Sequence, residues 1–213
     1  MNRSSQIFFV LLIFLLTLAG ISGCTSLRTG DTHNTTVAVQ SYNAWVSNQK
    51  EFNDELRDSV SLIGKHVNTY NSEISKSQPD NSLLLENLGQ DRQLLDKIGS
   101  NLDSLTAATD AFEQDISELQ YDNGSVMSTK ETLALTTQYM KIYLVDMSNA
   151  RQHLIEYVNN AEAYVAPDDP DYWNDKFRQN AMIAKEQAML SLEEGDAALE
   201  NVTSQAKQLE KLQ

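Results

Sequence analysis

Between Leu84 and Leu119 the chain places Leu84, Leu88, Asp91, Leu95, Ile98, Leu102, Leu105, Thr109, Phe112, Ile116 and Leu119 at alternating steps of four and three. Those steps keep all of them on one side of a helix, and no strand pattern fits them. A seven-residue repeat held this long favours coiled-coil packing, in which the apolar side must meet another helix. Only Asp91 and Thr109 interrupt the apolar character of the stripe.

Three further stripes supply partners. The first holds Tyr42, Trp45, Gln49, Phe52, Leu56, Val60, Ile63, Val67, Tyr70 and Ile74. The third holds Leu133, Thr136, Met140, Tyr143, Met147, Ala150, Leu154, Tyr157, Ala161 and Tyr164, widened by Leu144, Val158 and Val165. The fourth is Trp173, Phe177, Ala181, Ala184, Ala188, Leu192, Gly195, Leu199, Val202, Ala206 and Leu209, whose small members allow a neighbouring backbone to come close.

The breaks between stripes carry the residues that start and stop helices. Gln78-Pro79-Asp80-Asn81 parts the first two, with Asp80 to Ser82 as N-cap candidates. Tyr121 to Ser125 reads as a turn, and Ser128 with Glu131 has the spacing of a capping box. Ala166-Pro167-Asp168-Asp169-Pro170 closes the third helix, and Asp169 is placed to cap the fourth. The spacing therefore predicts helices over about 37–76, 82–119, 128–165 and 170–211. Short links between long helices make neighbours antiparallel. The expected fold is all-α: one elongated antiparallel four-helix bundle, coiled-coil-like, over 37–213.

The charge balance narrows the partners. The chain has 30 acidic and 16 basic side chains and a formal net charge of −14. Such a surface repels phosphate backbones and anionic headgroups, which argues against nucleic-acid binding and against a basic patch on lipid. With a single cysteine, no internal disulfide can form.

The N-terminus has its own logic. Arg3 precedes an apolar run from Ile7 to Leu18, and Ala19-Gly20-Ile21-Ser22-Gly23 leads to Cys24. These are the parts of a secretory signal, and the run falls short of the roughly 20 apolar residues of a spanning helix. Ile21-Ser22-Gly23-Cys24 resembles the lipobox of prokaryotic lipoproteins, with Ile where Leu is most usual. The resemblance covers residues 1–24 alone and implies cleavage after Gly23 with lipid attached to Cys24. An uncleaved anchor helix with an incidental cysteine is the other reading. Two acyl chains suffice for stable anchoring. Residues 24–36, polar and aperiodic, read as a lipidated flexible tether after the cleaved signal peptide 1–23.

Little in the chain suggests catalysis. The histidines are His33, His66 and His153, and there is no glycine-rich phosphate loop, His-Glu-x-x-His helix or Gly-x-Ser-x-Gly elbow. No catalytic residue, cofactor or firm metal ligand is assigned. Folding the helices back on one another does bring His66 to the level of Asp91, with His153 and Glu156 close to that level. Two imidazoles and two carboxylates suit a borderline divalent metal, although their off-centre positions favour a polar network between helices. Asp91 requires a partner in either case, since a lone carboxylate in an apolar seam is costly. A buried polar residue of this kind can fix helix register.

The link with Asp168, Asp169, Asp171, Tyr172 and Trp173 would share the membrane-distal tip with Pro79 and is the candidate partner contact. Asn34, Asn123 and Asn201 stand in glycosylation triplets, near what chance gives in so polar a chain. The expected function is that of an extracytoplasmic lipoprotein, held to the cell membrane by lipid on Cys24. It would act as a non-enzymatic helical scaffold or adaptor for another envelope protein, or for copies of itself. The alternative is a sensory bundle that binds a small molecule or metal and works with a separate transducer.

Overall fold

In the computed structural model the described residues are 32–118, 124–166 and 175–212. They form four helices: α1 Thr32–Glu73, α2 Asn81–Glu118, α3 Gly124–Val165 and α4 Asp175–Leu212. No strand occurs among the described residues. The four helices belong to one compact unit. At 1.5 Å per residue each helix is roughly 60 Å long.

Cross-links fix the directions. On the α1–α2 side Trp45 meets Thr109, Glu55 meets Lys97 and His66 meets Asp91, so one number rises as the other falls. The α2–α3 pairs Glu113–Lys141 and Arg92–Glu162 run the same way. Between α1 and α3 the order is parallel: Asn53 and Phe52 meet Tyr143, and Tyr70 meets Tyr157 and Tyr164. The arrangement is the expected up-down-up-down bundle.

Burial follows the stripes closely. On α2 Leu84, Leu88, Asp91, Leu95, Ile98, Leu102, Leu105, Thr109, Phe112 and Ile116 are all buried. Two stripes shift by one residue. On α1 Ser59 is buried, whereas Val60 is only partly so. On α4 Ser191 and Ala198 occupy the seam, and Leu192 and Leu199 pack at its edge. In both helices the strict seven-residue rhythm selects a small residue over a larger, more apolar neighbour, and on α4 the facing helix lies close.

Gly195 shows how close. A Cβ there would fall 2.1 Å from the Met147 Cε methyl, so the methyl of α3 sits in the notch left by glycine. On α2 the Arg151 guanidinium covers Gly99, where a Cβ would meet it at 2.8 Å. Arg151 Nε donates to the Leu95 carbonyl at 2.6 Å, tying α3 to a mid-helix carbonyl of α2.

The α1–α2 turn is set by its own polar groups. The Leu83 amide donates to Asp80 Oδ1 at 3.1 Å, and the Leu84 amide to the Asp80 carbonyl, so Asp80 is the N-cap. Glu73 receives Lys76 on one oxygen and the Asp80 amide on the other. Asn81 Nδ2 donates to the Val165 carbonyl at 3.2 Å, satisfying an orphan acceptor in the last turn of α3.

Two helix starts differ from the expected ones. Residues 32–36, read as tether, belong to α1. α3 begins at Gly124, so Ser128 lies one turn inside it and does not start the helix. With no proline in Gly124-Ser125-Val126-Met127, nothing there prevents the earlier start. α4 is described from Asp175, and the expected start at residue 170, with the proposed cap Asp169 and Pro170, lies outside the described residues.

Candidate functional site: the polar layer at Asp91

α2 brings one carboxylate into the centre of the bundle. Asp91 stands where the seven-residue rhythm calls for an apolar side chain, and its side chain is 0% exposed. His66, from the facing turn of α1, places Nδ1 2.5 Å from Asp91 Oδ1 and is itself 11% exposed. In the tautomer that carries its proton on Nδ1, the imidazole donates and the carboxylate accepts. Burial pushes the Asp91 carboxyl up from its ordinary value, and the hydrogen bond and charge of His66 oppose the shift.

Two tyrosines complete the layer. Tyr70 lies one turn beyond His66 on α1, and Tyr157 comes from α3, with ring centroids 6.4 Å apart at 74°. Both are buried, and burial raises both phenol pKa values. The neighbouring Tyr70 phenol and Asp91 carboxyl add to the rise at Tyr157. The second carboxylate oxygen of Asp91 and both phenol oxygens are buried without a hydrogen-bond partner.

The other polar break in the α2 stripe is answered in the same manner. Trp45 Nε1 donates to Thr109 Oγ1 at 2.7 Å, and that hydroxyl donates to the Leu105 carbonyl at 2.9 Å. Both non-apolar seam residues of α2 are thus met by a side chain of α1.

His66 and Asp91 meet as the folding-back argument expects. His153 and Glu156 do not join them: His153 Nδ1 lies 3.3 Å from Glu156 Oε2, one turn away on the same helix. Their spacing of three residues lets them pair along α3 at the partly exposed flank. Among the described residues no three His, Cys, Asp or Glu side chains gather as a metal site would require. The four-ligand arrangement is therefore replaced by two separate pairs.

Cys24 and the tip residues Asp168, Asp169, Asp171, Tyr172 and Trp173 lie outside the described residues, as does Asn123. Asn201 is on α4, where its amide donates to the Ala197 carbonyl. Among the described residues no helix is long and apolar enough to cross a membrane.

A second feature went unseen in the sequence. Near Gly195, burial, then Glu200 and Glu193, push the Asp196 carboxyl up to about 6. Asp146 of α3 is raised too, by burial and then by Glu194. Glu193 and Glu200 flank Asp196 along α4 itself, whereas the approach of α3 and α4 brings Glu194 near Asp146. The chain matches no known family model, no curated protein and no solved structure.

Two outcomes follow from this geometry. His66→Ala leaves a buried carboxylate without its partner and is expected to cost about 3–5 kcal/mol in urea unfolding. The joint change His66→Phe with Asp91→Leu, which removes the whole pair, is expected to be near neutral or stabilising. A joint loss as large as that of His66→Ala would contradict this account.

For Asp196 the folded pKa of about 6 lies above the ordinary 3.8, so its neutral form favours the folded chain. That stability is fully present below pH 3.8 and is lost as pH rises through about 6. Melting temperature followed from pH 4 to pH 7 is expected to fall less in Asp196→Asn than in the parent chain. Equal slopes would contradict the assignment.

Proposed function

We propose that this chain is a lipid-anchored protein of the extracytoplasmic face, working without catalysis as a rod-like adaptor for another envelope protein. The reading draws on the lipobox-like Ile21-Ser22-Gly23-Cys24 for its place and on the bundle for its manner of working. The observation that carries the adaptor reading is an apolar band on the outward side of the bundle. On α4 Met182, Ile183, Met189 and Leu190 are exposed, Leu190 by 59%. They recur at seven residues, as Met182 with Met189 and Ile183 with Leu190, so they form one outward stripe. On α3 Ile142 and Val145 are exposed as well.

Single exposed apolar residues need no account, but a repeated pair on one helix face suits contact with a partner. Glu186 falls between the two pairs and Glu193 one turn beyond the second, and both lend the stripe a polar border. The interior, in contrast, is filled by packed side chains and short polar ties, an arrangement that serves rigidity.

The test joins anchor and adaptor. Cells expressing the chain are expected to incorporate labelled palmitate into it, and Cys24→Ser to lose both label and membrane fractionation. Affinity capture from detergent-solubilised envelope is expected to enrich a partner with the parent chain and to lose it with Ile183→Asp and Leu190→Asp together. These changes touch exposed positions and should leave the fold intact. An unlabelled parent chain would overturn the anchor, and capture unaffected by the paired change would overturn the assigned face.

A further inference from the structure

We propose that the Asp91 layer is an internal hydration site, in which one water molecule is bound jointly by Asp91 of α2, Tyr70 of α1 and Tyr157 of α3. Three buried oxygens without a partner occur together there: Asp91 Oδ2 and the hydroxyls of Tyr70 and Tyr157. Each belongs to a residue that is at least nine-tenths buried. Leaving such groups unpaired inside a packed bundle is costly, and native interiors avoid it.

The three groups share one place. His66 holds Asp91 from the turn preceding Tyr70, the two tyrosine rings stand edge to face at 6.4 Å, and Asp91 acts electrostatically on the Tyr157 phenol. The other carboxylate oxygen is already taken by His66, so Oδ2 is the acceptor that remains.

Donor and acceptor counts select the ligand. Each phenol offers one O–H, and Asp91 Oδ2 offers an acceptor. Water accepts from both phenols and donates to Oδ2, making the three bonds common for buried water. An ammonium group has only donors, and would leave both phenol protons unplaced. A divalent metal finds one carboxylate and one imidazole here, short of the ligand cluster it requires. An apolar ligand would answer none of the three.

Such a water is a polar tie among three helices. α1 and α2 are already joined through His66 and Asp91, and the bound molecule adds α3 through Tyr157. It also accounts for two tyrosines at seam positions where phenylalanine would fill similar space.

Two measurements on the full chain test the proposal. A crystal structure that resolves ordered solvent is expected to show one water within about 2.7–3.1 Å of all three oxygens. A direct hydrogen bond from either phenol to Asp91 Oδ2, a different bound species, or a water reaching fewer than three would overturn it. Tyr70→Phe and Tyr157→Phe keep the rings and remove only the hydroxyls. The double variant is expected to lose clearly less melting temperature than the two single losses combined, since the first change already disrupts the shared water. Additive losses would overturn the proposal.

Discussion

The pairing of the two polar residues in the α2 seam with side chains of α1 is the constraint on which the rest of the bundle depends. An apolar seam alone leaves a seven-residue repeat free to slide by one heptad, because the same kinds of residue meet again after each step. Asp91 and Thr109 remove that freedom. Slipped by a heptad, Asp91 would face Ser59 or Glu73 in place of the imidazole, and Thr109 would lose the Trp45 indole. A buried carboxylate without a partner costs more than most packing defects, so one register stands well below the others. Surface ion pairs such as Glu55–Lys97 and Glu113–Lys141 agree with that register but, screened by solvent, contribute little to it.

The two halves of the bundle are held differently. α1 and α2 are joined by polar ties set in an apolar seam, whereas α3 and α4 approach through small residues. Ala181, Ala184, Ala188, Ser191, Gly195 and Ala198 give α4 a low profile, and Met147 fills the notch at Gly195. That closeness has two effects. It moves the larger side chains of α4 to its edge and outward face, where Ile183 and Leu190 are exposed, and it brings Glu194 of α4 near Asp146 of α3. The apolar band assigned to a partner and the raised Asp146 carboxyl share one cause.

Most of the fold was legible because the repeat is regular. Every seam residue of α2 from Leu84 to Ile116 could be read from spacing, and the turn at Pro79 set His66 level with Asp91. Ser59, Ser191 and Ala198 were missed because a reading guided by apolarity prefers Val60, Leu192 and Leu199. Close helix approach rewards small volume, which a hydrophobic pattern does not record. Arg151 was missed because its acceptor is a backbone carbonyl and its seat is a glycine, and neither leaves a trace in side-chain periodicity. His153 and Glu156 were read across helices, yet a neighbour one turn away on the same helix is reached at lower entropic cost.

Register between α1 and α2 is the claim most open to direct measurement. In a Cys24→Ser chain, Glu55→Cys with Asn101→Cys places two thiols where the native side chains already touch, and Glu55→Cys with Ala108→Cys tests the register displaced by one heptad. Disulfide yield under mild oxidation is the readout. The account predicts rapid closure for positions 55 and 101 and little for positions 55 and 108; equal yields, or preference for the displaced pair, would contradict it.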